Sequence, residues 1–104
     1  MDLALRYTQL GFSLTELLDK NEAVDPGEIG EHIGDGTLFG WLRERYGKMP
    51  GLSLTEEEEN EVLELFASLN NAVDPARKFG VRHNGLALLA AYCFEGLQQL
   101  HLRP

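Results

Sequence analysis

The chain has 104 residues, and its seventeen acidic side chains against nine Lys and Arg give a formal net charge of −8. This length predicts one domain with a single core. An apolar composition of 43% argues against a chain that is disordered over its whole length. The charge argues against general attraction to nucleic-acid phosphates or to anionic membranes.

Helix signals dominate the first part of the chain. Leu3 and Leu10 predict a short opening helix, which Gly11 is expected to end. Ser13 and Glu16 have the spacing of a capping box, in which the hydroxyl and the carboxylate each accept a backbone N–H. A second helix is therefore predicted to begin there.

Two more helices are predicted before the middle of the chain. Asp25-Pro26 favours a helix start, because Asp accepts backbone N–H groups and Pro tolerates the first helical position. Leu38 and Trp41 belong to a further helix of about ten residues, which Gly47 ends. Residues 48–51 contain Pro and Gly and form the one convincing linker.

The second half of the chain repeats this succession with longer helices. Residues 53–56 are expected to begin a helix whose core face includes Val62 and Phe66. Asp74-Pro75 predicts another short helix, and Asn84-Gly85 predicts the start of the last one. The last helix is apolar nearly all round, so it is expected at the centre of a bundle or with a second face buried in an oligomer.

Three short motifs recur in the same order along the chain. They are residues 11–16 and 51–56, residues 21–26 and 70–75, and residues 35–36 and 84–85. The order favours two related units, about 11–47 and 51–102, although capping signals that arose independently are the alternative. The sequence thus predicts an all-α single domain over residues 1–104, a compact bundle of five or six helices with two pseudo-repeated halves.

An acidic run stands out as the candidate binding surface. Acidic residues in a first helical turn complement the helix dipole, but six without an intervening base exceed that need and repel one another. We expect this helix face to bind a basic partner protein, and a solvated face that keeps the chain soluble is the alternative. The candidate contacts are Glu56, Glu57, Glu58, Glu59, Glu61 and Glu64.

Residues 75–89 resemble a helix-turn-helix motif, with Gly80 at the turn. This resemblance implies that nucleic acid is contacted through Arg77, Lys78 and Arg82. The second helix of the motif, however, offers only Asn84 to base edges, and the preceding glutamates would lie near phosphates. A structural turn between packed helices is therefore favoured, and nucleic acid is not the expected partner.

Self-association is also predicted, as a homodimer through Trp41, Leu97 and Leu100. The last helix stays apolar almost to its end, and large aromatic side chains anchor interfaces. The alternative is that the opening helix, residues 2–10, folds over the last helix and completes the core. The basic and aromatic segment 41–48 likewise offers either a partner anchor or core aromatics with solvated bases.

No catalytic or metal-binding set is recognisable, so we expect neither enzyme activity, nor a metal, nor a cofactor. The chain has no phosphate-binding glycine loop or serine elbow, and His83 and His101 lack ligand partners at the required spacing. Cys93 lies in an apolar run, where a buried inert thiol is expected. As the one cysteine it forms no internal disulfide, which is consistent with a reducing compartment.

The functional prediction is a small acidic protein-binding module of the inhibitor, immunity or adaptor type. A helix-turn-helix regulator that binds nucleic acid is the alternative. The N-terminal residues lack the features of a signal peptide, and the longest apolar run is about half the length of a membrane helix. We therefore expect a cytoplasmic protein with no membrane association.

Overall fold

The computed structural model describes residues 2–69 and 84–102. These residues form five α-helices and no strand, which confirms the predicted all-α class. The helices are α1 (Leu3–Asp19), α2 (Pro26–Asp35), α3 (Leu38–Tyr46), α4 (Glu56–Ser68) and α5 (Gly85–Leu102). The short helix predicted at Asp74-Pro75, and with it the six-helix alternative, lies outside the described residues. Within the described part of the chain, no helix has the length and apolar character needed to cross a membrane.

Helix α1 continues through Gly11, so the helix end predicted at that residue was wrong. Gly11 is buried, and a Cβ atom there would lie 2.9 Å from Cζ of Phe94 on α5. Glycine therefore allows two helices to approach closely rather than ending one of them. The capping box predicted at Ser13 and Glu16 was also wrong. Both residues lie inside the helix, where backbone N–H groups already have intrahelical acceptors.

The starts and ends of α2 and α3 follow the local signals in the sequence. The Asp25 side chain accepts a hydrogen bond from the N–H of Gly27 at 3.0 Å, and Pro26 occupies the first helical position. Gly36 ends α2 in the left-handed conformation, with φ of 74°. Helix α3 ends at Gly47, as predicted.

Helix α4 begins at Glu56, the last of the four residues expected to start it, and Thr55 and Glu58 form its capping box. The Glu58 N–H donates to Oγ1 of Thr55 at 3.2 Å, and the Thr55 N–H donates to Oε1 of Glu58 at 2.9 Å. The bonds are reciprocal, so two backbone donors at the helix start have acceptors. Val62 and Phe66 are buried, as their spacing predicted.

Helix α5 lies at the centre of the bundle and packs along α1, with further contacts to α2 and α4. Its central position agrees with its apolar character. Helix α1 folds over it, as expected under the alternative in which the opening helix completes the core. The buried apolar side chains of α5 are Leu86, Ala87, Leu89, Ala90, Ala91, Tyr92 and Cys93. Around them pack core residues that include Tyr7, Leu10, Leu14, Ile29, Phe39, Leu42, Val62 and Phe66.

The start of α5 is fixed to the connection between α1 and α2. The Asn84 side chain accepts from the N–H groups of Leu86 at 3.0 Å and Val24 at 3.3 Å, and its amide donates to the Glu22 carbonyl at 2.8 Å. The N–H of Gly85 donates to the Val24 carbonyl at 2.6 Å. Three of these four bonds join segments about sixty residues apart. Each polar group of the buried Asn84 amide has a partner.

Two of the three repeated motifs differ in local structure. Residues 11–16 form the interior of α1, whereas residues 51–56 are non-helical until α4 begins. Residues 35–36 end α2, whereas residues 84–85 begin α5. The copy of the remaining motif at residues 70–75 lies outside the described residues. Two pseudo-repeated halves are therefore not confirmed.

Candidate partner-binding surface

Glu58, one of the six predicted contact residues, is used by the fold itself. Its carboxylate closes the capping box at the start of α4. The hydrogen bond from the backbone N–H of Thr55 holds the pKa of Glu58 below its usual range, because the bond favours the charged form. Glu58 therefore has a structural role at the start of α4 that does not depend on a partner protein.

Glu59 is engaged by a neighbouring helix. Nη2 of Arg43 on α3 lies 3.3 Å from Oε2 of Glu59, and Nη1 of the same arginine donates to the Leu52 carbonyl at 3.2 Å. Arg43 thus connects α3, the segment before α4 and α4 itself. The sequence did not reveal this ion pair, because the cation comes from a different helix.

The remaining glutamates of the predicted set lie on the outer surface of α4. Glu56, Glu57, Glu61 and Glu64 are all exposed. Glu57, Glu61 and Glu64 follow one another at helical spacing, so they share a face about 10 Å long, at 1.5 Å of rise per residue. Helix α4 contains no Lys or Arg. We call these three residues the acidic face.

An apolar pocket of about 180 Å³ lies beyond the C-terminal end of the acidic face. Helices α2, α4 and α5 form its walls, and the residues lining it include Gly30, Gly34, Phe66, Ala67, Leu88 and Tyr92. Burial raises the pKa of Tyr92 above its usual value, so this phenol stays neutral at physiological pH. Sequence reasoning missed the pocket. The recurrence of glycine four residues apart in α2 was the one signal for it.

The aromatic and basic residues of α3 form a cluster with α2. The Trp41 ring stacks on the His32 ring, with centroids 4.9 Å apart, and Tyr46 meets Trp41 edge-on at 6.3 Å. The Arg45 guanidinium lies 5.8 Å from the Trp41 centroid and 5.5 Å from the Tyr46 centroid. Nδ1 of His32 lies 2.8 Å from Oγ1 of Thr37. The cluster thus joins α2 to α3. The part that His32 takes in it was not predicted, because this residue lies on a different helix from the aromatic rings.

The residues predicted for self-association are partly covered by their own chain. Trp41, Leu97 and Leu100 are half-buried and pack against the core. Near Leu97, a Cβ atom at Gly96 would lie 2.9 Å from a methyl carbon of Leu65 and 3.1 Å from Cζ of Tyr7. Helices α1 and α4 therefore both reach this part of α5, and the homodimer stays a prediction.

The residues of the nucleic-acid alternative, Arg77, Lys78 and Arg82, lie outside the described residues, so this alternative also stays a prediction. Among residues 2–69 and 84–102, no group of three or more His, Cys, Asp or Glu side chains is arranged to hold a metal ion. Cys93 is completely buried, and its burial raises the pKa of the thiol well above the usual range. A neutral, inaccessible thiol is a poor nucleophile.

Comparisons with protein-family models, with curated proteins and with solved structures found no match for this chain.

Proposed function

We propose that this chain is a small acidic protein-binding module that binds a basic partner protein through the acidic face of α4. It would act as an inhibitor, immunity-type or adaptor protein, and it would have no catalytic activity. The observation that carries the proposal is the exposure of Glu57, Glu61 and Glu64 on one face of a helix that contains no base.

The physical reason for binding is the negative electrostatic field of that face. A partner that brings Lys or Arg against the face meets complementary charge, and the same field steers the partner during encounter. Because exposed charges are screened by salt, the association should weaken as ionic strength rises.

The location and the oligomeric state form part of the proposal. A cytoplasmic location is supported by the single buried cysteine, which needs no oxidising compartment. A homodimer through Trp41, Leu97 and Leu100 is supported by the apolar surface that these half-buried side chains still expose. Light scattering at tens of micromolar chain should then give twice the monomer mass, and a clean 11.6 kDa species would contradict the dimer.

The binding mechanism is tested by charge reversal at matched positions. The test variant carries Glu57→Lys, Glu61→Lys and Glu64→Lys. The control variant carries Glu16→Lys, Asp19→Lys and Glu44→Lys, which are exposed acidic residues on α1 and α3. Both variants change the net charge equally, so a difference between them reports the position of the charge.

Affinity purification from cells with mass spectrometry identifies the partner, and titration calorimetry measures the affinity of each variant for it. We expect the α4 variant to lose at least about tenfold in affinity, equivalent to about 1.4 kcal/mol, and the control variant to bind like the wild type. Equal affinity of the two variants for every partner found would refute the acidic-face mechanism.

A further inference from the structure

The acidic face leads directly to the apolar pocket. Ala67 is exposed, lines the pocket, and follows Glu64 by three residues on α4, which is less than one helical turn. Glu57 lies ten residues before Ala67, a rise of about 15 Å. A row of carboxylates and an apolar recess therefore share one continuous surface.

The pocket has the size of one side chain. At about 180 Å³ it lies below the roughly 300–1,000 Å³ of typical small-molecule sites. A dry cavity of about 150 Å³ in another protein accepts a single benzene ring. The volume therefore suits one aromatic or branched aliphatic side chain, the kind of group that anchors a protein interface.

The α2 wall of the pocket is open to an approaching backbone. Gly30 and Gly34 are exposed, and a Cβ atom built on either would meet nothing within 4 Å. Glu31 stands exposed on the same stretch of α2, three residues before Gly34. Glu64 is likewise exposed, three residues before Ala67 on α4. Two of the helices that line the pocket therefore carry an exposed carboxylate within one turn of a lining residue, which favours a segment that is itself basic.

We propose that the pocket receives the apolar anchor of a basic amphipathic helix from the partner, whose Lys or Arg side chains pair with the acidic face. Such a helix places its anchor at Ala67, and its bases follow one, two and three turns away, opposite Glu64, Glu61 and Glu57. This inference rests on the proposed function, because it names the partner chemistry for the same surface.

Synthetic peptides test the match between anchor and charge. The first peptide is a fluorescein-labelled helical sequence with one Phe followed by three Lys at successive turns. The second replaces Phe by Ala, the third replaces each Lys by Gln, and a reversed copy of the first covers the opposite orientation. Fluorescence anisotropy with the full chain should show about tenfold weaker binding when either Phe or the lysines are replaced.

Variants of the protein test whether the Phe side chain of the peptide binds in the pocket. Gly34→Leu narrows the pocket from α2, and Ala67→Phe fills it from α4. Gly40→Leu is the matched control, because Gly40 is an exposed helical glycine with open space around its Cβ position and lies outside the pocket. We expect the two pocket variants to weaken the Phe peptide about tenfold and to leave the Ala peptide unchanged, and the control to affect neither.

The outcomes separate this inference from the proposed function. Equal binding of the Phe and Ala peptides, which is also expected if residues 70–83 of the same chain or another ligand fill the pocket, overturns the inference. The proposed function still stands if the α4 charge reversal then weakens both peptides. Binding of the Lys peptides that charge reversal does not change overturns both ideas, as does the absence of binding by every peptide.

Discussion

Two nearly identical hexapeptides of this chain adopt different structures. Residues 11–16 (GFSLTE) form the middle of α1, whereas residues 51–56 (GLSLTE) are non-helical up to Glu56, the first residue of α4. The first copy contacts the residue just before the second, since the Ser13 hydroxyl donates to the Pro50 carbonyl at 3.4 Å. The local sequence is the same, so the structure around each copy decides its conformation.

The residues that precede each copy account for the difference. Asp2 caps α1 nine residues before Gly11. The first copy therefore lies inside the helix, where backbone N–H groups already donate to intrahelical carbonyls and none is left for a hydroxyl to cap. The Thr15 hydroxyl donates instead to the Gly11 carbonyl at 2.8 Å. Before the second copy, Gly47 and Pro50 interrupt the helix, and Thr55 becomes the residue that caps the next one.

The largest effect is expected from Gly51→Ala, which disturbs the close approach of the second copy to Leu10, the residue just before the first copy. Gly51 has φ of 95°, and a Cβ there would lie 2.6 Å from both N and Cβ of Leu10. Backbone strain and the steric clash together should lower the free energy of unfolding by about 3 kcal/mol, measured by urea denaturation.

Gly36→Ala is the control, because Gly36 has φ of 74° but open space around its Cβ position. It should lose only about 1 kcal/mol, since strain acts there without a clash. Equal losses at Gly36 and Gly51 would show that the close contact with Leu10 contributes nothing.

The effect of substituting Gly11, the first residue of the other copy, should depend on the side chain of Phe94. Gly11→Ala improves helix propensity by about 1 kcal/mol but forces a Cβ to within 2.9 Å of Phe94, and overpacking costs about 1–3 kcal/mol. We expect a net loss of about 1 kcal/mol in the wild-type background. In a Phe94→Ala background the same change should stabilise the chain, and a double-mutant cycle by urea denaturation measures the reversal. A loss of the same size in both backgrounds would show that Phe94 is not the obstacle.

The matched threonines should differ in their contribution to stability. Thr55→Ala removes the cap of α4 and should lower the free energy of unfolding by about 1 kcal/mol. Thr15→Ala should stay within about 0.5 kcal/mol of the wild type, because Ala is the better residue inside a helix. Thermal denaturation of the two variants makes the comparison. Equal destabilisation would mean that capping does not distinguish the copies.

The smallest effect is expected in the dependence of stability on pH. The pKa of Glu58 is lowered in the folded chain, so its contribution is complete above the unfolded pKa of about 4.3 and is lost as pH falls through the folded value. Glu58→Gln keeps an acceptor for the capping box but does not titrate. The wild type should therefore lose stability more steeply than Glu58→Gln below pH of about 4. Parallel profiles would contradict the role of the charge.

The features that the sequence predicted correctly depend on local chemistry. Asp25-Pro26 and Gly47 mark helix ends by backbone geometry alone, and the apolar character of α5 places it in the core wherever its neighbours lie. The role of Gly11 was predicted wrongly because a glycine can either end a helix or allow another helix to pack closely. The side chain that packs here, Phe94, is remote in sequence. Both Ser53-x-x-Glu56 and Thr55-x-x-Glu58 satisfy the capping pattern, so the pattern alone does not select the start of α4.

The candidate site was predictable in charge but not in detail. The glutamate run makes α4 negatively charged, whatever the fold. Which of these glutamates the fold itself uses depends on the Thr55 cap for Glu58 and on Arg43, which reaches Glu59 from α3. The pocket needs three helices at once, so no window of the sequence encloses it.

The hydrogen bonds at the start of α5 also affect how the chain ages. In an Asn-Gly pair the glycine nitrogen can attack the side-chain amide carbon, forming a cyclic imide and releasing ammonia, and asparagine is accordingly a thermolabile residue. Here the Gly85 N–H is held by the Val24 carbonyl, and the Asn84 amide is fixed by three hydrogen bonds. The reaction must therefore wait until this region opens. Hydrolysis of the imide leaves a carboxylate that cannot donate to the Glu22 carbonyl. The fraction of modified chains therefore reports how long this junction has been open.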